Sequence, residues 1–192
     1  MSMVARALNW LAAFLLLLVT WPVVLAAALL VKLSSRGPAF FKQTRVGRAG
    51  KPFSIIKLRS MEHQQDCPQV WTVRNDPRVT QVGRVLRRYR IDELPQLINV
   101  LRGDMNLVGP RPEQPAIAKA LAAELPRYEE RHQVLPGITG LAQVELTHWA
   151  CVEDPQAKLT RDLRYVRRRS VALDAWIMMR TARVVLSGGG SQ

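Results

Sequence analysis

Apolar and polar positions divide this chain into an apolar head and a mixed body. Residues 7–31 carry no charge and are dominated by leucine, alanine and valine, a run long enough in principle to span a bilayer. Beyond it the periods shorten. Residues 39–43 and 53–58 read as short strands, with Gly47-Arg48-Ala49-Gly50 as a hairpin-type connection. The polar, aperiodic stretch 62–77 predicts a loop. Thr80 is placed to cap a helix with Val82, Val85, Leu86 and Tyr89 on one face and Arg84, Arg87 and Arg88 on the other. Asp92 opens a second helix. Leu94, Leu97, Ile98 and Leu101 line one side of it, Pro95 falls in its first turn, and Gly103 signals its end. Further helices are predicted over 115–131, 155–168 and 171–186, with a loop at 136–140. The last helix carries Leu173, Trp176, Ile177, Arg180 and Val184, and can pack on the core or lie in a membrane interface. The pattern predicts an α+β, mostly helical chain. It comprises an anchor over 1–33, a compact helical domain with a small β-hairpin over 34–186, and a flexible tail over 187–192.

The anchor is a poor signal peptide, because its apolar run is long, Lys32 follows it, and no clean small-residue cleavage site precedes the body. Pro22 lies within the run, where it removes an amide donor and crowds the preceding turn. The arm from Asn9 to Trp21 reaches only about 20 Å at helical rise, short of a hydrocarbon core of roughly 30 Å. Arg6 flanks one end, and Lys32, Arg36, Lys42 and Arg45 flank the other. Positive charge at both ends favours placing both on the cytoplasmic face. The expected form is a re-entrant helix-break-helix hairpin; a spanning helix with a mild kink at Pro22 is the alternative.

Charge narrows the partners less than it first suggests. The 192 residues carry a formal charge of +13 and a pI of about 11, so nucleic acid, anionic lipid and a phosphate-rich substrate are all admitted. No basic-aromatic nucleic-acid motif is visible, and nucleic-acid binding leaves the apolar anchor unexplained. Cys67 and Cys151 lack C-x-x-C spacing, and His63, His132 and His148 form no metal-binding pattern. A reducing compartment is the simpler reading of the thiols. P-loop and dinucleotide fingerprints are missing from the sequence.

Candidate chemistry centres on Asp92-Glu93. At a helix start, free amides and the helix dipole favour an anion. Two carboxylates there can hold Mg²⁺ together with phosphate oxygens and water, leaving one free to attack phosphorus. The plainer alternative is an N-cap and a first-turn acid. Arg111 follows within Gly109-Pro110-Arg111-Pro112, where glycine and prolines fix the backbone. Its guanidinium suits a phosphate, with a structural salt bridge as the alternative.

Long ordered motifs then decide between these readings. They are residues 37–47 (GPAFFKQTRVG), 53–61 (FSIIKLRSM), 76–80 (DPRVT), 92–97 (DELPQL), 99–103 (NVLRG), 109–113 (GPRPE) and 136–143 (PGITGLAQ). Over nearly its whole length the chain resembles the monotopic bacterial phosphoglycosyl transferases, the bacterial sugar transferase family. The resemblance implies a bacterial inner-membrane enzyme with a cytoplasmic catalytic domain. Such an enzyme transfers a sugar 1-phosphate from a UDP-sugar to undecaprenyl phosphate, with Mg²⁺ and release of UMP, to begin a membrane glycan. It implies Asp92 as nucleophile, Glu93 as Mg²⁺ ligand and Arg111 as a phosphate contact. Lys57, Arg59 and Gln143 carry over as substrate-binding positions and Pro22 as the membrane break; membrane lipid and a second copy of the chain are further expected partners. A catalytically silent scaffold of a glycan-assembly complex is the alternative, which the intact Asp92-Glu93 pair disfavours. Three stretches depart from the family pattern. Ala5-Arg6-Ala7-Leu8-Asn9 stands for Lys-Arg-x-x-Asp, Trp21-Pro22 for Ser-Pro, and Glu145-Leu146-Thr147-His148 for Asn-Gly-Arg-Asn.

Overall fold

The computed structural model describes residues 3–62, 76–146 and 148–187, with backbone alone at 148–150. Most of the stretch read as a 62–77 loop, the tail beyond Ser187, His63 and Cys67 lie outside the described residues.

Helix α1 (Met3–Ser34) is unbroken, with Pro22 inside it. The break expected at Pro22 is not confirmed, since the helical backbone continues through it. Proline deletes one amide and crowds one carbonyl, whereas a true break would strand several backbone groups among apolar neighbours. Both ends of α1 are tied to the same body. Near the start, Asn9 Oδ1 accepts from the Leu107 amide at 2.9 Å, and Trp10 Nε1 donates to the Leu101 carbonyl at 3.3 Å. Asn9 thus supplies the acceptor oxygen that an aspartate would place there. Near the end, Ala27 and Val31 pack with Leu58 and Leu86.

Strands β1 (Phe40–Val46) and β2 (Pro52–Leu58) form the expected antiparallel hairpin, Phe40 opposite Leu58 and Val46 opposite Pro52. The free edge of β2 is covered by one side chain. Asn99, fully buried, accepts from the Ile56 amide at 3.0 Å and donates to the Ser54 carbonyl at 2.8 Å. It serves the strand as a third strand would. Helix α2 (Gln81–Arg88) starts where expected, Thr80 Oγ1 accepting from the Gly83 amide.

Three local expectations change. Asp92 does not open an α-helix: Ile91–Gln96 is a 3₁₀ helix, and α3 (Leu97–Arg102) is α-helical only after Pro95 has passed. Gly103, at φ 86°, ends α3 as foreseen. Helix α4 (Pro115–Glu124) stops short of the predicted 131, because Pro126 holds Leu125 extended, and a separate 3₁₀ helix covers Tyr128–Gln133. The predicted loop at 136–140 contains β4 (Gly137–Thr139), which pairs in parallel with β3 (Asn106–Val108). Close approach requires glycine here: a Cβ on Gly137 would stand 2.1 Å from the Gly109 nitrogen.

Helices α5 (Leu141–Glu145), α6 (His148–Glu153), α7 (Pro155–Arg168) and α8 (Val171–Leu186) complete the fold. Asp154 caps α7 and Ser170 caps α8 through their side chains. The main core joins Ala13 of α1, Ile55, Leu97, Val100, Met105, Val108, Leu141, Tyr165 and Ile177. Helix α8 packs on the core through the fully buried Ile177, while Val171, Trp176, Met179 and Leu186 remain exposed.

Candidate active site

Three chain segments bring the carboxylates and cations together. Arg90 takes a left-handed conformation, φ 52° and ψ 24°, which turns the chain sharply from α2 into the 3₁₀ helix holding Asp92 and Glu93. Such a conformation in a residue with a Cβ is uncommon and concentrates at functional sites. From the other side, the β-hairpin directs Lys57 at the same spot. A third approach is made by Arg111, on the segment following β3.

Glu93 is the hub. Its Oε1 accepts from Lys57 Nζ at 2.9 Å and from Arg111 Nη2 at 2.6 Å, and its Oε2 from Arg111 Nη1 at 3.4 Å. Arg90 adds a looser ion pair at 3.7 Å. Burial opposes the charge on Glu93, but Arg111, Lys57 and Arg90 together hold its carboxyl well below the usual carboxylate range. Asp92 differs. It is 8% exposed, and among the described residues its carboxylate has no hydrogen bond or ion pair. Burial, followed by the Glu93 charge, pushes it up to about 6, against the pull of Lys57, Arg87 and Arg111. One acid is clamped and the other is free.

The position of Arg111 is fixed through its backbone. Gly109 N–H donates to the Thr139 carbonyl at 2.9 Å, and Gly137 N–H to the Pro110 carbonyl at 3.0 Å. The Arg111 carbonyl accepts from Arg131 Nη2 at 2.7 Å. Arg131 is itself buried against Asp162 at 2.8 Å and donates to the Tyr128 hydroxyl at 3.2 Å. Glu113, two residues on, is buried in an ion pair with Lys158 of α7. The glycine-proline frame foreseen around Arg111 is therefore real, and α7 supports it from behind.

Not every sequence candidate reaches this cluster. Asp92, Glu93, Lys57 and Arg111 are brought together. Arg59 is not: its Nε donates to the Pro38 carbonyl at 2.8 Å and its Nη2 to the Ser35 carbonyl at 2.9 Å, with further bonds to Val31, Arg36 and Gly37. It latches the end of α1 and the turn after it. The strand ends at Leu58, so residue 59 leaves the pleat that aims Lys57 at the acids. Gln143 donates to the Ile138 carbonyl at 3.2 Å rather than to any member of the cluster. Pro22 sits within α1, away from the chemistry.

Sequence reasoning passed over Arg45. In the hairpin register Arg45 lies opposite Phe53 and Lys57 opposite Phe41, so period-two alternation puts Arg45, Gln43 and Lys57 on one face. That alternation was the available signal. Burial, then the neighbouring Arg111 charge, holds the Arg45 guanidinium down to about 10.

The carboxylates sit in a six-residue 3₁₀ turn, so the local field comes from side-chain cations more than from a helix dipole. Lys57, Arg87, Arg90, Arg111 and Arg45 surround two acids. This surplus of positive charge suits a phosphate-rich ligand. No group of three or more metal-binding side chains occurs among the described residues. A carboxylate pair is nonetheless the donor set Mg²⁺ takes when phosphate oxygens and water complete its shell.

Comparison with known proteins agrees with this chemistry. The bacterial sugar transferase family matches residues 1–188. The chain is 42% identical over 192 residues to an Aeromonas hydrophila UDP-N-acetylgalactosamine-undecaprenyl-phosphate N-acetylgalactosaminephosphotransferase, covering 100% of this chain and 45% of that protein. It is 47% identical over 185 residues to a Caulobacter vibrioides UDP-glucose:undecaprenyl-phosphate glucose-1-phosphate transferase, covering 95% and 69%. It is 43% identical over 180 residues to the Rhizobium leguminosarum bv. phaseoli exopolysaccharide production protein PSS, covering 90% of each. The chain spans less than half the length of several curated relatives. Fold, site and similarity converge: this chain belongs to the bacterial sugar transferase family.

Proposed function

We propose that this chain transfers a sugar 1-phosphate from a UDP-sugar to undecaprenyl phosphate, releasing UMP, at the cytoplasmic face of a bacterial inner membrane. The observation that carries the reading is the contrast between a free Asp92 and a clamped Glu93 inside a basic, largely buried site. A nucleophile needs an unengaged lone pair; a charge-balancing acid needs partners.

Asp92 attacks the phosphorus that bears the sugar. A bond forms from its carboxylate oxygen to phosphorus, and the phosphoanhydride bond breaks, so UMP leaves with the electron pair. An oxygen of undecaprenyl phosphate then attacks the same phosphorus, the acyl phosphate opens, and Asp92 is regenerated as a carboxylate. Arg111 and Lys57 bind phosphate oxygens as the donor arrives, relinquishing part of their hold on Glu93. Glu93 would hold Mg²⁺, which would supply charge neutralisation on the diphosphate.

Both tethers of α1 to one domain support a path that keeps its two ends on the same side of the membrane. The exposed apolar residues of α8 support interfacial contact with lipid. The reading is tested with purified protein, Mg²⁺, undecaprenyl phosphate and a panel of UDP-sugars. UMP release that Asp92→Asn abolishes is expected. Release of UDP instead would mean ordinary glycosyl transfer and overturn the reaction.

A further inference from the structure

Ion pairing among the acids and cations of the site leaves two half-buried guanidinium groups over, Arg87 beside Asp92 and Arg45 on the hairpin. Arg45 donates Nη1 to the Pro112 carbonyl at 3.1 Å and Nη2 to Gln43 Oε1 at 2.6 Å, and its Nε is buried without a partner. Among the described residues Arg45 forms no ion pair. Both nearby acids are taken: Glu93 by Lys57, Arg90 and Arg111, and Glu113 by Lys158. Arg45, Lys57 and Arg111 meanwhile repel one another. A buried charge without a counter-ion is costly, and cations gathered this closely leave room for an anion.

The arrangement has a direction. Lys57, Arg87 and Arg111 are the cations weighing most on Asp92, whereas Arg45 acts with Arg111, Glu113 and Glu93. On the hairpin, the backbones of Lys57 and Arg45 stand about 13 Å apart along one face. Both side chains come near enough to Arg111 for its charge to weigh on each. A diphosphate attacked by Asp92 at its sugar-bearing phosphorus therefore has its other phosphate toward Arg45.

We propose that Arg45 is a further substrate-binding residue which, with Arg111, holds the phosphate of the departing nucleoside monophosphate. The assignment rests on Asp92 being the nucleophile. As the phosphoanhydride bond breaks, negative charge grows on the leaving oxygen, and a guanidinium beside it neutralises that charge.

The test compares direct binding of UMP and uridine to the full chain in wild type, Arg45→Gln and Arg45→Lys. Wild type is expected to prefer UMP. Arg45→Gln is expected to lose roughly tenfold or more of that preference while its uridine affinity is unchanged. A purely structural role for Arg45 would lower both affinities together, and that result overturns the proposal, as does an intact preference. Should Arg45→Gln fail to fold, Arg45→Lys decides. It keeps the charge but not the fork, so the preference should fall several-fold; an unchanged preference overturns the assignment. A wild type that neither releases UMP nor prefers it to uridine defeats the donor reading itself, a different result from a wild type that does both while the variants match it.

Discussion

Asp92 and Glu93 are neighbours in sequence, yet their surroundings give them opposite protonation behaviour. Glu93 is held ionised by three cations, and Asp92 is raised by burial and by the Glu93 charge beside it. Glu93→Gln should therefore do more than remove the proposed metal ligand. It would free Lys57 and Arg111 from their shared anchor and leave buried positive charge without compensation. A loss of about 100-fold or more in kcat is expected, with UMP release as the readout. Residual activity within a few-fold of wild type would show that Glu93 is neither an anchor nor a ligand. Asp92→Asn, by contrast, should leave the clamp and the folded stability in place and remove turnover. Mass spectrometry after adding donor without acceptor should then find a phosphosugar adduct on wild type and none on the variant.

At the level of elements, Arg59 and Lys57 separate two jobs that adjacent basic positions seemed to share. Arg59 spends its donors on carbonyls at the end of α1 and in the following turn. Arg59→Met should therefore lower stability by about 1–3 kcal/mol through lost charged hydrogen bonds. The folded fraction should keep its donor affinity, which a substrate-binding arginine would not. A second element-level device is the Glu113–Lys158 pair, which ties α7 to the segment carrying Arg111. Burial disfavours the Glu113 charge, but Lys158 and Arg131 outweigh it and hold the carboxyl down to about 2 from an ordinary 4.5. The fold thus favours ionised Glu113, a contribution complete above pH 4.5 and lost as pH falls toward 2. Unfolding midpoints measured across that window should fall more steeply for wild type than for Glu113→Gln/Lys158→Met; parallel slopes would remove the pair from the stability balance.

These elements also show what the sequence could and could not reveal. Helices α2, α7 and α8 were legible because their capping residues and apolar faces are local signals, and the hairpin because its strands alternate. Strands β3 and β4 were not, being three residues each and defined by glycine-mediated contact between distant segments. Pro95 and Pro126 were visible but their reach was underestimated, so two helices came out shorter than their apolar periodicity suggested. Asp92, Glu93 and Arg111 became candidates on local chemistry and the long motifs. The service of Arg59 to the backbone and the lack of a counter-ion at Arg45 depend on which groups lie opposite in space, which no local pattern encodes.

For the molecule as a whole, the geometry of α1 decides how the proposed membrane anchor would sit. Its 32 residues would measure about 48 Å if straight, more than a hydrocarbon core of roughly 30 Å requires. Length alone therefore permits spanning. Attachment argues the other way. A spanning path would carry Asn9 and Trp10 across the bilayer and break their bonds to Leu107 and Leu101, while Arg59 held the other end. It would also withdraw Ala13 from the core it shares with Val100 and Met105. The outward face, with Leu11, Leu15, Leu18, Val19, Leu25, Leu29 and Leu33 exposed, can instead be buried in one leaflet while both ends stay with the domain. Single cysteines at Met3 and Ser35, in a background lacking Cys67 and Cys151, should both resist a membrane-impermeant maleimide applied to intact cells. Both should react in inverted vesicles. Labelling of residue 3 from outside would establish a spanning helix and require the domain to release its hold on Asn9. Asn9→Leu with Trp10→Phe should move the protein toward that outcome, because it removes the polar contacts that tie the first turns of α1 to the domain.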